Sequence, residues 1–397
     1  MTITAEQRQV DIIDRLAAEA RRRVPADQAK SAETFVRRYF ANVAPDDVIY
    51  TSFETLLGGA LSLWGFGAQR TLGKPKVRLF NPTQDVDGWD LQHTVIEIIN
   101  DDMPFLVDSV TAEIRRRGRQ IHLLLHPVVQ VRRDAGGARL EVTETPSPDG
   151  RAESYMHVEI DQETETTELE SIRAELEQIF AEVMLAVRDW QAMRARLAAD
   201  LAEIKTEKLP MPAEESTEAK DFLNWLDDGN FIFLGYRRYT FDTRDSQDYL
   251  RPVPESGLGI LSSTRSESKE RGDRPLTEED SQYARRKDLI IATKINSRSR
   301  IHKSVRLDRI GIKRYDDQGN LIGEDRFIGL FTSAAYLRSV RDIPMLRLKT
   351  RRVRDRAGLK PHSHDDKALV DILEEFPRDE FFQITDTDLY TIARGIL

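Results

Sequence analysis

The sequence predicts an α+β protein of more than one domain, on three observations. Residues 5–70 repeat their apolar positions at helical spacing, after which short alternating or wholly apolar runs take over. Those runs form two groups, separated by one long helical stretch and by the acidic, proline-containing segment LPMPAEEST at 209–217. A length of 397 residues suits two or three domains better than one.

Val10, Ile13, Leu16 and Ala17 begin the helical lead-in, a second helix runs over 26–40, and a third over 46–69 carries Phe53, Leu56, Leu57, Ala60 and Trp64. Gly58, Gly59, Gly65 and Gly67 weaken that third helix, because glycine disfavours a helix interior. Residues 77–80 make a brief strand. In 93–100, Val95, Ile96, Ile98 and Ile99 place apolar groups on both faces, as expected of a buried central strand. A helix over 104–117 has a proline in its first turn and Gly118 just past its end. Residues 121–131 form a strand, and DAGG at 134–137 turns into 138–142. Residues 155–161 alternate, with Met156, Val158 and Ile160 on one face. From Leu169 to Ile204, apolar residues step by three or four, predicting a helix of about 36 residues, roughly 54 Å long. Beyond the linker come a short helix at 219–227 and strands at 231–241, 289–294, 301–314 and 325–333, with a polar stretch at 262–288. From Ile343 the pattern is helical again. Leu389, Ile392, Ile396 and Leu397 leave an apolar ending, which is expected of the front piece of a longer polypeptide.

Composition narrows the function classes. With no cysteine there are no disulfides, thiolate metal sites, iron–sulfur clusters or cysteine nucleophiles. A formal net charge of −9 argues against nucleic-acid or anionic-membrane binding by the chain as a whole. No apolar run approaches the ~18 residues of a membrane helix, and MTITAEQRQVDIIDRL lacks the basic and apolar regions of a secretion signal. A cytoplasmic protein is expected.

The densest candidate site is NDDMPFLVDSV at 100–110. Asn100, Asp101 and Asp102 precede a helix whose first N–H groups attract a carboxylate, while paired aspartates attract an ammonium. Together they fit an amino-acid zwitterion; ordinary helix capping by an aspartate is the competing reading. In HSHDD at 362–366 two imidazoles and two carboxylates could hold a divalent cation, but Ser363 or Asp365 also suits a helix cap. His122, His126 and His157 fall on neighbouring strands and read as edge or surface histidines or as a metal cluster. KINSRSRIHKSVRLDRIGIKR at 294–314 is basic, as is LRLKTRRVRDRAGLK at 346–360; acidic neighbours in the parent chain or another subunit are the expected partners of the first. Trp190 and Met193 read as core or interface residues. Gly257, Gly259 and Ser262 only approximate a dinucleotide fingerprint, without its third glycine or a preceding strand.

Strand, acidic D-x-P turn, helix, glycine and apolar strand over about 92–190 resemble the ACT domain, a ferredoxin-like βαββαβ module that senses amino acids. The fourth strand is not evident after the long helix, and 77–80 is a candidate to supply it. Amino-acid-binding members have glycine after the proline; here Phe105 stands there, followed by Leu106. YFANVAPDDV, DDMPFLVDSV, LNWLDDGNFIFLGYRRY, GEDRFIGLFTSAAY and SHDDKALVDILEEFPRDEFFQI, in that order, resemble the amino-terminal part of the large bacterial NAD-specific glutamate dehydrogenases.

That resemblance implies a helical lead-in (1–74), an ACT-like domain with the long helix (75–208), a PAS-like mixed-sheet domain (209–340) and a helical connector (341–397). It implies a regulatory and assembly role in an enzyme converting L-glutamate, NAD+ and water to 2-oxoglutarate, ammonium and NADH. The catalytic domain would lie further along the same polypeptide, with NAD bound there. No catalytic, cofactor or metal residue is expected in this stretch. An amino-acid effector would meet Asn100, Asp101, Asp102, Phe105 and Leu106, and a homo-oligomer is expected. A stand-alone amino-acid sensor and a ligand-free scaffold are the alternatives.

Overall fold

A computed structural model describes residues 4–204, 209–262 and 275–397. The polar stretch expected at 262–288 lies partly outside the described residues. The chain divides into two compact units, Met1–Met184 with Arg300–Ser304, and Leu185–Ser299 with Val305–Leu397.

Unit 1 opens with α1 (Ala5–Arg23), α2 (Ala29–Tyr39), α3 (Pro45–Ile49) and α4 (Phe53–Phe66). The expected third helix is therefore two. The chain turns at Tyr50–Ser52, where the Ser52 hydroxyl accepts from Thr55 N–H at 3.1 Å and restarts the helix. Strands β1 (Lys76–Phe80) and β2 (Thr94–Asp101) flank the single turn α5 (Gln84–Asp87), and α6 (Leu106–Arg116) follows. The expected strand over 121–131 is split into β3 (Ile121–Leu125) and β4 (Val128–Arg133). Pro127 has no N–H for the ladder, while its carbonyl still accepts from Tyr155 N–H at 3.0 Å. After β5 (Arg139–Thr143) and β6 (Arg151–Ile160) comes α7 (Thr166–Ile204), 39 residues long, whose portion through Met184 belongs to this unit.

The sheet runs β1-β2-β6-β4-β5, with β3 also on β6, and every pairing is antiparallel. β2, α6, β3–β4, β6 and α7 give βαββα. The remaining position beside β2 is filled by β1, which precedes them in sequence. Parity then assigns the faces. Ile99 and Tyr155, opposite each other, share a core with Leu16, Phe35, Val36, Leu57 and Leu63 of the lead-in helices. Ile96, Ile98, Met156 and Val158 are buried on the other face. The lead-in helices thus share a core with the sheet.

Unit 2 takes the rest of α7, then α8 (Ala213–Trp225) and a sheet of β7 (Phe231–Arg244), β8 (Gln247–Pro252), β9 (Leu258–Gly259), β10 (Ile290–Arg298), β11 (Arg306–Tyr315) and β12 (Leu321–Phe331), with α9 (Glu278–Arg285) before β10. The order is β10-β11-β12-β7-β8, with β9 on β7. Every pairing is antiparallel, so the sheet is not mixed: tight turns join β7 to β8 and β11 to β12, and such turns reverse the chain. Then come α10 (Ser333–Leu337), α11 (Leu346–Ala357), α12 (His364–Glu375), α13 (Arg378–Gln383) and α14 (Asp386–Ile396). The core joins Met193, Leu197 and Ile204 of α7 to Phe222, Tyr236, Ile310, Phe327, Leu346, Leu373 and Leu389. Met193 is thus a core residue, whereas Trp190 is 45% exposed with Arg194 over its ring.

Candidate functional site

Strand β2 delivers Asn100 and Asp101 to its carboxyl end, and the chain turns through Asp102 to Phe105 before α6 begins. Asn100 is buried, and its Nδ2 finds no hydrogen-bond partner among the described residues. Asp101 stands opposite Glu153 across β2 and β6, a like-charge pairing that needs a cation. Arg70, 1% exposed, supplies it: one guanidinium nitrogen lies 2.8 Å from Asp101 and 3.0 Å from Glu153. Arg133 completes the cluster, 2.7 Å from Glu153 and 3.2 Å from the Tyr155 hydroxyl. Nearby, burial pushes the Arg139 guanidinium down to about 10 and the Tyr155 phenol up to about 12. Asp101 is therefore committed to Arg70, a partner that no pattern in the sequence announces. Asp102 donates its N–H to the Ala152 carbonyl at 3.1 Å, tying the turn to the sheet.

The helix itself is open. No side chain caps α6, so capping by an aspartate does not occur, and the N-cap residue is Phe105 at φ 73°. That left-handed backbone favours glycine and costs a phenylalanine about 1–3 kcal/mol. The backbone thus keeps the path a glycine would take, with a partly exposed ring beside it. Leu106 is buried. The Phe105 ring meets His302 edge-on at 5.8 Å, and the His302 N–H donates to Ser109 Oγ at 3.0 Å. His302 Nδ1 lies 2.7 Å from Asp108, and Arg300 pairs with Glu175 at 2.8 Å and Glu182 at 2.7 Å. The first turn of α6 is therefore seated against the Arg300–Ser304 segment of its own unit.

The other candidates find places too. Ser363 caps α12 by accepting from Asp366 N–H at 3.2 Å. His122 pairs with Asp161 at 2.9 Å, His126 meets Ser154 Oγ at 2.5 Å, and His157 is buried rather than at an edge. No cluster of three or more ligating side chains fit to hold a metal occurs among the described residues. The basic stretch finds acids within this chain: Lys294 meets Asp308 at 2.7 Å and Arg309 meets Glu324 at 2.6 Å. Burial would raise Glu324, but Arg326 and Arg309 outweigh it and hold its carboxyl down at about 2. In α11, Arg347 and Arg352 bridge to Glu218 and Glu215 of α8 at 2.9 and 2.8 Å. Gly259 sits at φ 59° against β7, where a Cβ would lie 2.2 Å from the Leu234 carbonyl, so close packing accounts for that glycine.

Burial pulls two lysine ammoniums down to about 8, those of Lys313, which donates to the Arg286 carbonyl, and Lys349. Lys349 lines a cavity of about 300 Å³ in unit 2, and a lowered value of this kind is also found in catalytic lysines. Its Nζ, however, donates to the carbonyls of Phe381, Phe382 and Ile384 at 3.0, 2.9 and 2.7 Å. All three protons are engaged in closing the end of α13, leaving none for a substrate.

Residues 35–176 match the family model described as glutamate dehydrogenase, ACT1 domain, and residues 343–397 match glutamate dehydrogenase, helical motif 1. The NAD-specific glutamate dehydrogenase of Halomonas elongata is 37% identical over 399 residues, covering 100% of this chain and 25% of that protein. Its namesake in Pseudomonas aeruginosa is 35% identical over 367 residues, covering 91% of this chain and 22% of the relative. That of Mycobacterium tuberculosis is 27% identical, covering 76% and 18% respectively. The chain spans about a quarter of the length of the first two. With an ACT-type sheet, a match along its whole length and both family segments in place, the chain belongs to the NAD-specific glutamate dehydrogenase family, of which it carries the first ACT domain and the first helical motif.

Proposed function

We propose that this chain is the regulatory and assembly segment of an NAD-dependent glutamate dehydrogenase that works in the cytoplasm. The parent polypeptide oxidises L-glutamate with NAD+ and water to 2-oxoglutarate, ammonium and NADH, and a catalytic domain further along the polypeptide binds the NAD. The observation that carries this reading is a chain-long match that accounts for only about a quarter of each longer relative. The engaged donors of Lys349 support it, because this buried lysine gives all three of its protons to backbone carbonyls.

Within the segment, 1–74 acts as a lead-in to the ACT-like domain 75–208, 209–340 as a PAS-like domain, and 341–397 as a connector. The antiparallel order of the second sheet, with its first and last long strands side by side, supports the PAS-like assignment. The parent is a homo-oligomer, and an amino-acid effector shifts its arrangement through the α6 turn, by binding one arrangement better than another. A ligand-free scaffold is the second reading, favoured by Arg70 holding Asp101 and by the Phe105 ring. Calorimetry of this chain against the common amino acids separates the two. Heat that saturates and is lost in Asp102→Ala supports the effector; no heat from any of them leaves the scaffold.

A further inference from the structure

Unit 1 encloses a second site, on the opposite face of the sheet from α6. A cavity of about 270 Å³ opens between the lead-in helices and the β3–β6 side of the sheet. Its walls are largely apolar, but polar groups converge on it in a way that packing does not require. Tyr39, 4% exposed, is one of its lining residues. His157, 2% exposed, leaves Nδ1 without a partner. Buried polar groups normally find partners, so this unpaired nitrogen of a cavity-lining residue asks what completes it.

Glu159 stands beside them, 2.9 Å from His93 and 3.5 Å from His157. Burial would raise its carboxyl, but the bonds from His157 and His93 outweigh it and keep the group below its ordinary range. Glu159 thus presents a carboxylate acceptor on the polar wall. The other walls are flat. His93 stacks on His122 at 4.0 Å, and Trp89 and Tyr39 flank His157 at 6.5 and 6.0 Å.

The glycines of α4 fit the same picture. A Cβ at Gly58 would lie 2.3 Å from Trp89, so that glycine seats the indole. At Gly59, which lines the cavity, a Cβ would stand 3.4 Å from the Tyr39 hydroxyl and from His157. That is ordinary contact. Helix propensity alone would prefer alanine there; a methyl would stand against both Tyr39 and His157 on the cavity wall.

We propose that this cavity is a binding site for a small, flat, uncharged aromatic molecule bearing an N–H or O–H donor, which stacks beside Trp89 and hydrogen-bonds to Glu159 and Tyr39. Apolar walls with a few convergent polar groups are the usual make-up of a small-molecule pocket, and the volume limits the ligand to one or two rings. The proposal does not depend on the reading of the α6 turn.

The test is titration of the whole 397-residue chain with indole, phenol, toluene and benzoate, followed by calorimetry and by tryptophan fluorescence. Indole or phenol is expected to saturate one site and perturb the fluorescence. Toluene, lacking the donor, should bind about tenfold more weakly, and benzoate should not bind. Gly59→Leu, which fills the cavity, should abolish binding while circular dichroism stays unchanged. Should that variant fail to fold, Tyr39→Phe keeps the ring and should weaken phenol several-fold. Saturation by none of the probes, benzoate binding as tightly as phenol, or affinity unchanged in a folded Gly59→Leu or in Tyr39→Phe would overturn the assignment.

Discussion

Phe105 adopts a backbone conformation suited to glycine, and a matched pair of substitutions isolates its cost. Phe105→Ala and Phe105→Gly both remove the ring from His302, but only glycine is at ease at φ 73°. Phe105→Gly should therefore be the more stable of the two by about 1 kcal/mol in urea unfolding; equal midpoints would remove the strain argument. Arg70→Met should cost about 1–3 kcal/mol, because Asp101 and Glu153 lose the cation between them while Glu153 keeps Arg133. Asp200 gives a pH signature. Burial first, and the neighbouring Asp325 next, push its carboxyl from 3.8 up to about 8. The folded protein then holds a proton that the unfolded chain releases. The stability this group contributes is full below about pH 4 and is lost as the pH rises through 8. Asp200→Asn should flatten that decline and raise stability at about pH 8; an unchanged slope between about pH 5 and 8 would contradict the assignment. At this scale the sequence was legible where a residue has a local job. Ser363 could be read as a cap because its partner is three residues on, and Gly118 as a helix stop because it adjoins the helix. Arg70 could not be read, since its two partners are 31 and 83 positions away in sequence.

Among the elements, periodicity identified the long helix, the buried central strand and the hairpin at 134–137 without needing any contact. It failed where a break leaves the pattern intact. The α3–α4 corner lies between apolar Val48, Ile49 and Phe53, so the helical spacing runs on across it, and Pro127 divides a strand with apolar residues on both sides. Strand order was harder still. The resemblance made 77–80 a candidate for the fourth strand, and β1 takes that place beside β2, but the pairing itself is not written in the local pattern. The connector helices carry their own prediction. Lys349 of α11 ties down the end of α13 through three carbonyls, so Lys349→Met should destabilise the chain by about 1–3 kcal/mol as these acceptors lose their donor. An unchanged thermal midpoint in that variant would show that water satisfies the carbonyls equally well.

At the scale of the whole molecule, the chain comprises two compact units and two family segments. Its acidic balance and its lack of cysteine offer neither thiol redox nor thiolate chemistry. Exposed Trp190 on α7 is the natural probe of self-association. Light scattering should find the parent enzyme larger than one polypeptide, and a monomer would remove the assembly half of the proposal. The most direct measurement is NADH formation by the purified 397-residue chain supplied with L-glutamate and NAD+, beside the full-length polypeptide under the same conditions. The account predicts turnover by the full-length protein and none by this chain, with no NAD binding to it in calorimetry; glutamate-dependent NADH production by these 397 residues alone would contradict it.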